Sequence, residues 1–185
     1  PSLEIDYIVD PTFTVLHSFA GGASDGKNPF GSLILSGSTL YGMAYLGGTS
    51  NLGDIFSIVT DGTGFTLLHS FAGGDSDDRY PYGSLILSGS TLYGMTYGGG
   101  SSNLGTIFSV GTDGTGFTVL RSFAGGTSDG SSPLGSLILS GSTLYGMTKQ
   151  GGTSNLGVIF SIATDGSGFS VLHSFAGGTS DGLYP

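Results

Sequence analysis

Short apolar runs separated by turn residues fill this chain, and none holds the 3.6-residue apolar period of a helix. Between residues 83 and 123 four runs occur, at 84–87, 91–95, 106–110 and 117–123. Ser88-Gly89-Ser90 joins the first two as a tight turn. Residues 112–116, Thr-Asp-Gly-Thr-Gly, join the last two, and their Asp-Gly pair supplies the positive φ that a hairpin turn needs. A longer loop, 97–105, lies between the second and third runs. The pattern predicts an all-β chain.

Nearly the same wording occurs at 31–71 and 135–175, and Ser-Phe-Ala-Gly-Gly recurs at Ser18, Ser70, Ser122 and Ser174, a period of 52 residues. Four antiparallel strands in a unit of this size is the pattern of a propeller blade. Leu-Ile-Leu at 33–35, 85–87 and 137–139 is apolar on both strand faces, which suits a blade covered by neighbours on each side. Phe56, Phe108 and Phe160, with Phe65, Phe117 and Phe169, are the rings expected between blades. A β-solenoid is the alternative, although its coils are usually shorter. The expected organisation is a single repeat domain over 1–185. Its repeats are 31–71, 83–123 and 135–175, its inter-blade loops are 20–30, 72–82 and 124–134, and 176–185 is a truncated loop.

Residues 4–9, EIDYIV, match the third-strand sequence at 54–59, and 13–19 match the fourth strand at 65–71. Residues 1–19 are therefore expected to be a half-blade. Two strands and three sets of four make 14 strands, or three and a half blades. A half-blade leaves open edges that invite pairing. Ile5, Tyr7, Val9 and Phe13 mark the expected assembly edge, completed by a continuation of the chain or by another copy of it. The first closes a ring; the second gives a head-to-tail filament.

Composition changes this picture little. Glycine supplies 37 of 185 residues, far above the usual ~7%, but it is locked to the repeat and alternates with apolar runs able to fold. Thirteen carboxylates against four scattered basic residues give −9, which argues against nucleic acid and anionic membranes as partners. No apolar run is long enough to span a bilayer. Cysteine is absent, so disulfides and thiolate metal sites are excluded. Low charge with abundant Ser, Thr, Gly and Tyr suits an extracellular or cell-surface protein.

Gly-Ser-Leu-Ile-Leu-Ser-Gly-Ser-Thr-Leu-Tyr-Gly-Met, then Gly-Gly-(Thr/Ser)-Ser-Asn-Leu-Gly, Ile-Phe-Ser and Thr-Asp-Gly-(Thr/Ser)-Gly-Phe together resemble the Gloeobacter/Verrucomicrobia-type (GloVer) tandem repeat of bacterial surface proteins. The wording matches from about residue 13 to 185. The resemblance implies a secreted, propeller-like repeat protein and brings no catalytic residues.

Candidate sites are few. The loop AGGxSDGxxP offers a Ca²⁺ reading, best at Asp75, Asp77 and Asp78. An Asx turn before glycine explains the same pattern without metal and is preferred. His17, His69 and His173 share a repeat position with Arg121, which argues against a common metal or base role and suggests that the position tolerates any long polar group. Tyr41, Tyr93 and Tyr145 recur on the second strand and Tyr45 and Tyr97 four residues on. With Asn51, Asn103 and Asn155 in nearby loops they offer a ligand-facing platform for a glycan, although packing of the first tyrosine set between blades is preferred. No nucleophile–base set and no phosphate loop is present, and a near-identical repeat does not converge different groups on one point. The expectation is a non-enzymatic structural repeat protein without cofactor. A lectin-like module with one weak site per repeat is the alternative.

Overall fold

The computed structural model describes residues 13–182 and residue 185. All regular structure in these residues is β. The first repeat holds β1 (Gly26–Lys27), β2 (Ile34–Ser36), β3 (Thr39–Ala44), β4 (Leu46–Gly47), β5 (Asp54–Val59) and β6 (Thr66–Ser70). The second holds β7 (Asp78–Arg79), β8 (Ile86–Ser88), β9 (Thr91–Thr96), β10 (Gly98–Gly99), β11 (Thr106–Gly111) and β12 (Thr118–Ser122). The third holds β13 (Gly130–Ser131), β14 (Ile138–Ser140), β15 (Thr143–Thr148), β16 (Gln150–Gly151), β17 (Val158–Ala163) and β18 (Ser170–Ser174).

Each repeat builds one four-stranded antiparallel sheet, in the order β2-β3-β5-β6 for the first and its equivalents for the others. The fold is thus the expected all-β array of propeller-like blades, with no closed sheet. The hairpin between third and fourth strands closes as its sequence requires: Asp61 Oδ1 accepts from the Thr63 N–H at 2.9 Å, and Asp113 and Asp165 repeat the turn.

Three details differ from the sequence expectation. The inter-blade loops are not wholly irregular, because β1, β7 and β13 lie within them and pair with β4, β10 and β16. The first strand is short and late, Ile86–Ser88 instead of 84–87. Its leading residues serve the blade-to-blade contact: the Ser32 N–H donates to Ser84 Oγ, and the Ser84 N–H to Ser136 Oγ, both at 2.8 Å. A Cβ on Gly31 or Gly83 would strike the carbonyl of the equivalent glycine one repeat on, so the inner edges meet backbone to backbone. Finally, residues 13–19 carry no strand pairing among the described residues. The third strand expected at 4–9, and with it Ile5, Tyr7 and Val9, lies outside the described residues; Phe13 is almost fully exposed.

Each strand presents alternate side chains to opposite faces. Tyr41, Met43 and Ile55 of the first blade meet Leu85, Leu92, Phe108 and Val110 of the second, with Phe71 between them. Tyr93, Met95 and Ile107 meet Leu137, Leu144, Phe160 and Ile162 in the same way, around Phe123. We call the first set the forward face and the second the rear face. Gly94 is glycine because the Phe108 ring lies over it. A bulge between Ile55 and Phe56, repeated in the other sheets, breaks strict alternation on the last strand. Both Leu68 and His69 thereby reach the next blade.

Candidate functional site

The blade junction is the unit from which every candidate surface is built. Its edge carries a clip. His69 stacks on Phe117 of the following blade with centroids 3.9 Å apart and planes 6° apart, and its Nε2 lies 3.1 Å from Asp77 Oδ1. His17 repeats this with Phe65 and Asp25. Arg121 lays its guanidinium 3.6 Å from the Phe169 centroid and bonds Asp129 at 2.8 Å. The repeat position therefore selects a planar group with an N–H donor, not any long polar side chain. The carboxylate is held by backbone as well: Asp77 accepts from the Ala72 and Asp78 N–H groups. Burial alone would raise its pKa, but the bonds from His69, Asp78 and Ala72 outweigh it and hold the carboxyl below its ordinary value. Replacing His69 with Lys removes the stack and should cost about 1 kcal/mol in urea unfolding, whereas His69→Arg should stay within about 0.5.

The three carboxylates of the Ca²⁺ reading are not brought together. Asp77 is committed to the clip, Asp78 is buried, and Asp75 faces solvent. Among the described residues no group of three or more His, Cys, Asp or Glu side chains is placed to hold a metal.

Asp78 belongs to a different arrangement. In each repeat one residue from the inter-blade loop packs against the end of the second strand and the start of the third. The sets are Gly26, Ala44 and Asp54, then Asp78, Thr96 and Thr106, then Gly130, Thr148 and Val158. A Cβ on Gly26 would lie 2.6 Å from the Ala44 Cβ and 3.1 Å from Asp54 Oδ1, so the spot does not admit a second large group. Asp54 and Asp78 are both fully buried, and neither carboxyl has a hydrogen-bond partner. The Thr106 hydroxyl beside Asp78 is bonded to Thr96 at 2.9 Å. Burial, and then the charge of Asp25, raises the Asp54 pKa to about 7. Burial likewise raises Asp78 to about 7, with Asp77 adding to the shift and nearby Thr106 opposing it. A loop Asp in a glycine-rich sequence carries no sign of such burial.

The expected ligand-facing residues divide into two groups. Asn51, Asn103 and Asn155 sit in the left-handed region, φ 54–55°, and their Oδ1 atoms accept from the Gly47, Gly99 and Gly151 N–H groups. They close the loop before the third strand. Tyr45 and Tyr97 instead join three aromatics that the sequence reading passed over: Phe30, Tyr80 and Tyr82. Tyr45 lies 4.7 Å from Tyr82 and 5.0 Å from Tyr80 by ring centroids; Phe30 lies 5.3 Å from Tyr82, and Tyr97 closes the row at 5.9 Å. The bond from the Tyr45 hydroxyl to Tyr82, with partial burial, raises the Tyr45 pKa to about 12. Arg79 borders the set, its Cζ 5.6 Å from the Tyr80 ring centroid.

At the two ends of the array the blade faces are incompletely covered. Met147 is 41% exposed where Met43 and Met95 are 4% and 3%, and Ile138 and Leu172 of the same forward face are also bare. At the other end Leu33 is 50% exposed where Leu85 and Leu137 are 3% and 2%. A depression of about 400 Å³ lies there between residues 13–19 and the rear face of the first blade, lined by Leu33, Leu40, Phe56 and Ile58.

Comparison with solved structures finds a nidogen/laminin complex at TM-score 0.54 and 17% identity, covering 79% of this chain and 48% of that one. The chain thus spans about half the length of the matched chain, and the likeness concerns the propeller-type fold alone. The tricorn protease aligns at TM-score 0.37 and 11% identity, over 87% and 19% of the two chains, too loosely to support an argument. No curated protein matches the sequence. The profile of the Gloeobacter/Verrucomicrobia repeat matches residues 5–185. With its repeat period, blade sheets and profile match in agreement, the chain belongs to the Gloeobacter/Verrucomicrobia repeat family.

Proposed function

We propose that the chain is a non-enzymatic, extracellular structural repeat protein that extends by laying one blade on the next. The observation that carries this reading is the bare forward face of the third blade, Ile138, Met147 and Leu172, whose counterparts are covered inside the array. The rear face of the first blade, part-covered by residues 13–19 with Leu33 still open, is the surface that such a contact would meet. A further blade on the forward face, from adjoining sequence or from a second copy, buries several apolar side chains at roughly 1.5–3 kcal/mol each before ordering costs. A contact of this head-to-tail kind closes into a ring or runs on as a filament. The chain's low charge and Ser/Thr/Gly-rich surface favour an extracellular setting.

Sedimentation of the 185-residue chain tests this. It should associate as concentration rises, and Met147→Lys should return it to monomer with its unfolding unchanged. A chain that stays monomeric at high concentration, with slow amide exchange in both end blades, would refute the proposal. The lectin-like reading with one site in each repeat requires equivalent aromatics in all three. The third repeat has Ser132, Leu134 and Lys149 where the second has Tyr80, Tyr82 and Tyr97. Among the described residues the aromatics gather at the junction of the first and second repeats.

A further inference from the structure

We propose that the five rings at the junction of the first and second repeats, Phe30, Tyr45, Tyr80, Tyr82 and Tyr97, form a binding platform for a neutral polysaccharide chain. This inference stands apart from blade stacking, because the rings do not lie in either buried inter-blade core.

The fold does not need these rings. Repeat positions 28, 80, 132 and 184 are Asn, Tyr, Ser and Tyr; 30, 82 and 134 are Phe, Tyr and Leu; 45, 97 and 149 are Tyr, Tyr and Lys. The third repeat makes the same sheets and the same loop bonds with Ser132 and Lys149: the Lys149 N–H donates to the Ser132 carbonyl as the Tyr97 N–H donates to that of Tyr80. Tyr80 also sits at φ 61°, a left-handed conformation in which Asn is more at ease and a bulky ring is an outlier. Strain of this sort persists where surrounding structure holds it and concentrates at working sites.

The platform has the chemistry of sugar recognition. Phe30 and Tyr97 are exposed and the other three rings half-buried, so each ring is held by its neighbours and still reaches solvent. Aromatic faces pack on the C–H faces of a pyranose, and phenol hydroxyls at the rim can exchange hydrogen bonds with its hydroxyls. The depressions of about 210–400 Å³ elsewhere on the chain contain none of these rings. An open row suits a polymer better than a small molecule, which needs enclosure. Charge narrows the class further. Arg79 already covers Tyr80 against a cationic ligand, and a chain of net charge −9 disfavours a polyanion.

The test is titration of the folded chain with hexaoses of β-1,4-glucan, β-1,3-glucan, chitin and α-1,4-glucan, read by calorimetry and by amide chemical shifts. At least one should bind with Kd on the order of 0.1–1 mM, shifting the amides of Arg79, Tyr80, Tyr82 and Tyr97. Tyr82→Ala and Tyr80→Asn should each weaken binding about tenfold. Tyr80→Asn restores the residue found at position 28 and relieves the φ strain, so it folds at least as well as the parent. Lys149→Ala, at the equivalent place in the third repeat, should leave binding unchanged. Absence of binding by all four hexaoses would overturn the proposal. So would binding that both tyrosine variants retain, or saturation of the same amides by a proline-rich peptide but by no sugar.

Discussion

Raising the pH from 4 to 8 should weaken this protein by several kcal/mol, and Asp54→Val should remove about half of that loss. A carboxyl that titrates near 7 when folded and at 3.8 when unfolded takes up a proton on folding. Below pH 3.8 both states hold the proton and there is no penalty. Between 3.8 and 7 the unfolded chain has released it and the folded one has not, so stability falls as pH rises. Above 7 the loss is complete, at about 4 kcal/mol for Asp54, with a similar amount for Asp78. The clip carboxylates act oppositely: Asp25, Asp77 and Asp181 are held below their ordinary pKa, and their contribution is lost as the pH drops below about 3.8. The optimum should therefore lie near pH 4–5. Val already fills the Asp54 position in the third repeat, as Val158 beside Gly130, so Asp54→Val introduces a side chain the site accepts. It should gain about 2–4 kcal/mol at pH 8 and little at pH 4, measured by urea unfolding. Equal stability of the parent at pH 5 and pH 8 would show that these carboxyls are not buried as described.

The parts legible in the sequence were those written into the period. Leu-Ile-Leu on both strand faces, Asp-Gly at the hairpin and the 52-residue spacing together specify a blade flanked by blades. What escaped was set by contacts between distant segments. Gly26–Lys27 is too short and too glycine-rich to look like a strand, and it becomes one only because Leu46–Gly47 is brought beside it. The bulge that lets Leu68 and His69 face the same way has no local signal. Asn51, Asn103 and Asn155 looked like surface groups, but a left-handed turn consumes their carbonyl oxygens. Tyr80 and Tyr82 fell inside a stretch read as loop. Comparing repeats column by column for positions where one copy departs from the others finds them, since Asn28, Tyr80 and Ser132 share no chemistry. The same comparison picks out Asp54 and Asp78.

Identical sequences in this chain meet different fates according to whether a neighbouring blade covers them. Leu33, Leu85 and Leu137 open the same Leu-Ile-Leu run in three repeats, yet the last two are sealed under the preceding blade and the first is half open. Leu85 packs against Tyr41, Met43 and Ile55, and Leu137 against Tyr93, Met95 and Ile107. Truncating a sealed leucine loses its transfer free energy and leaves a cavity, which costs about 2–5 kcal/mol. An exposed one has much less to lose. The decisive measurement is urea unfolding of Leu33→Ala, Leu85→Ala and Leu137→Ala at concentrations where the chain is monomeric. The account predicts losses of about 2–5 kcal/mol for the second and third and less than about 1.5 kcal/mol for the first. Equal losses at all three positions, or the largest at Leu33, would contradict it.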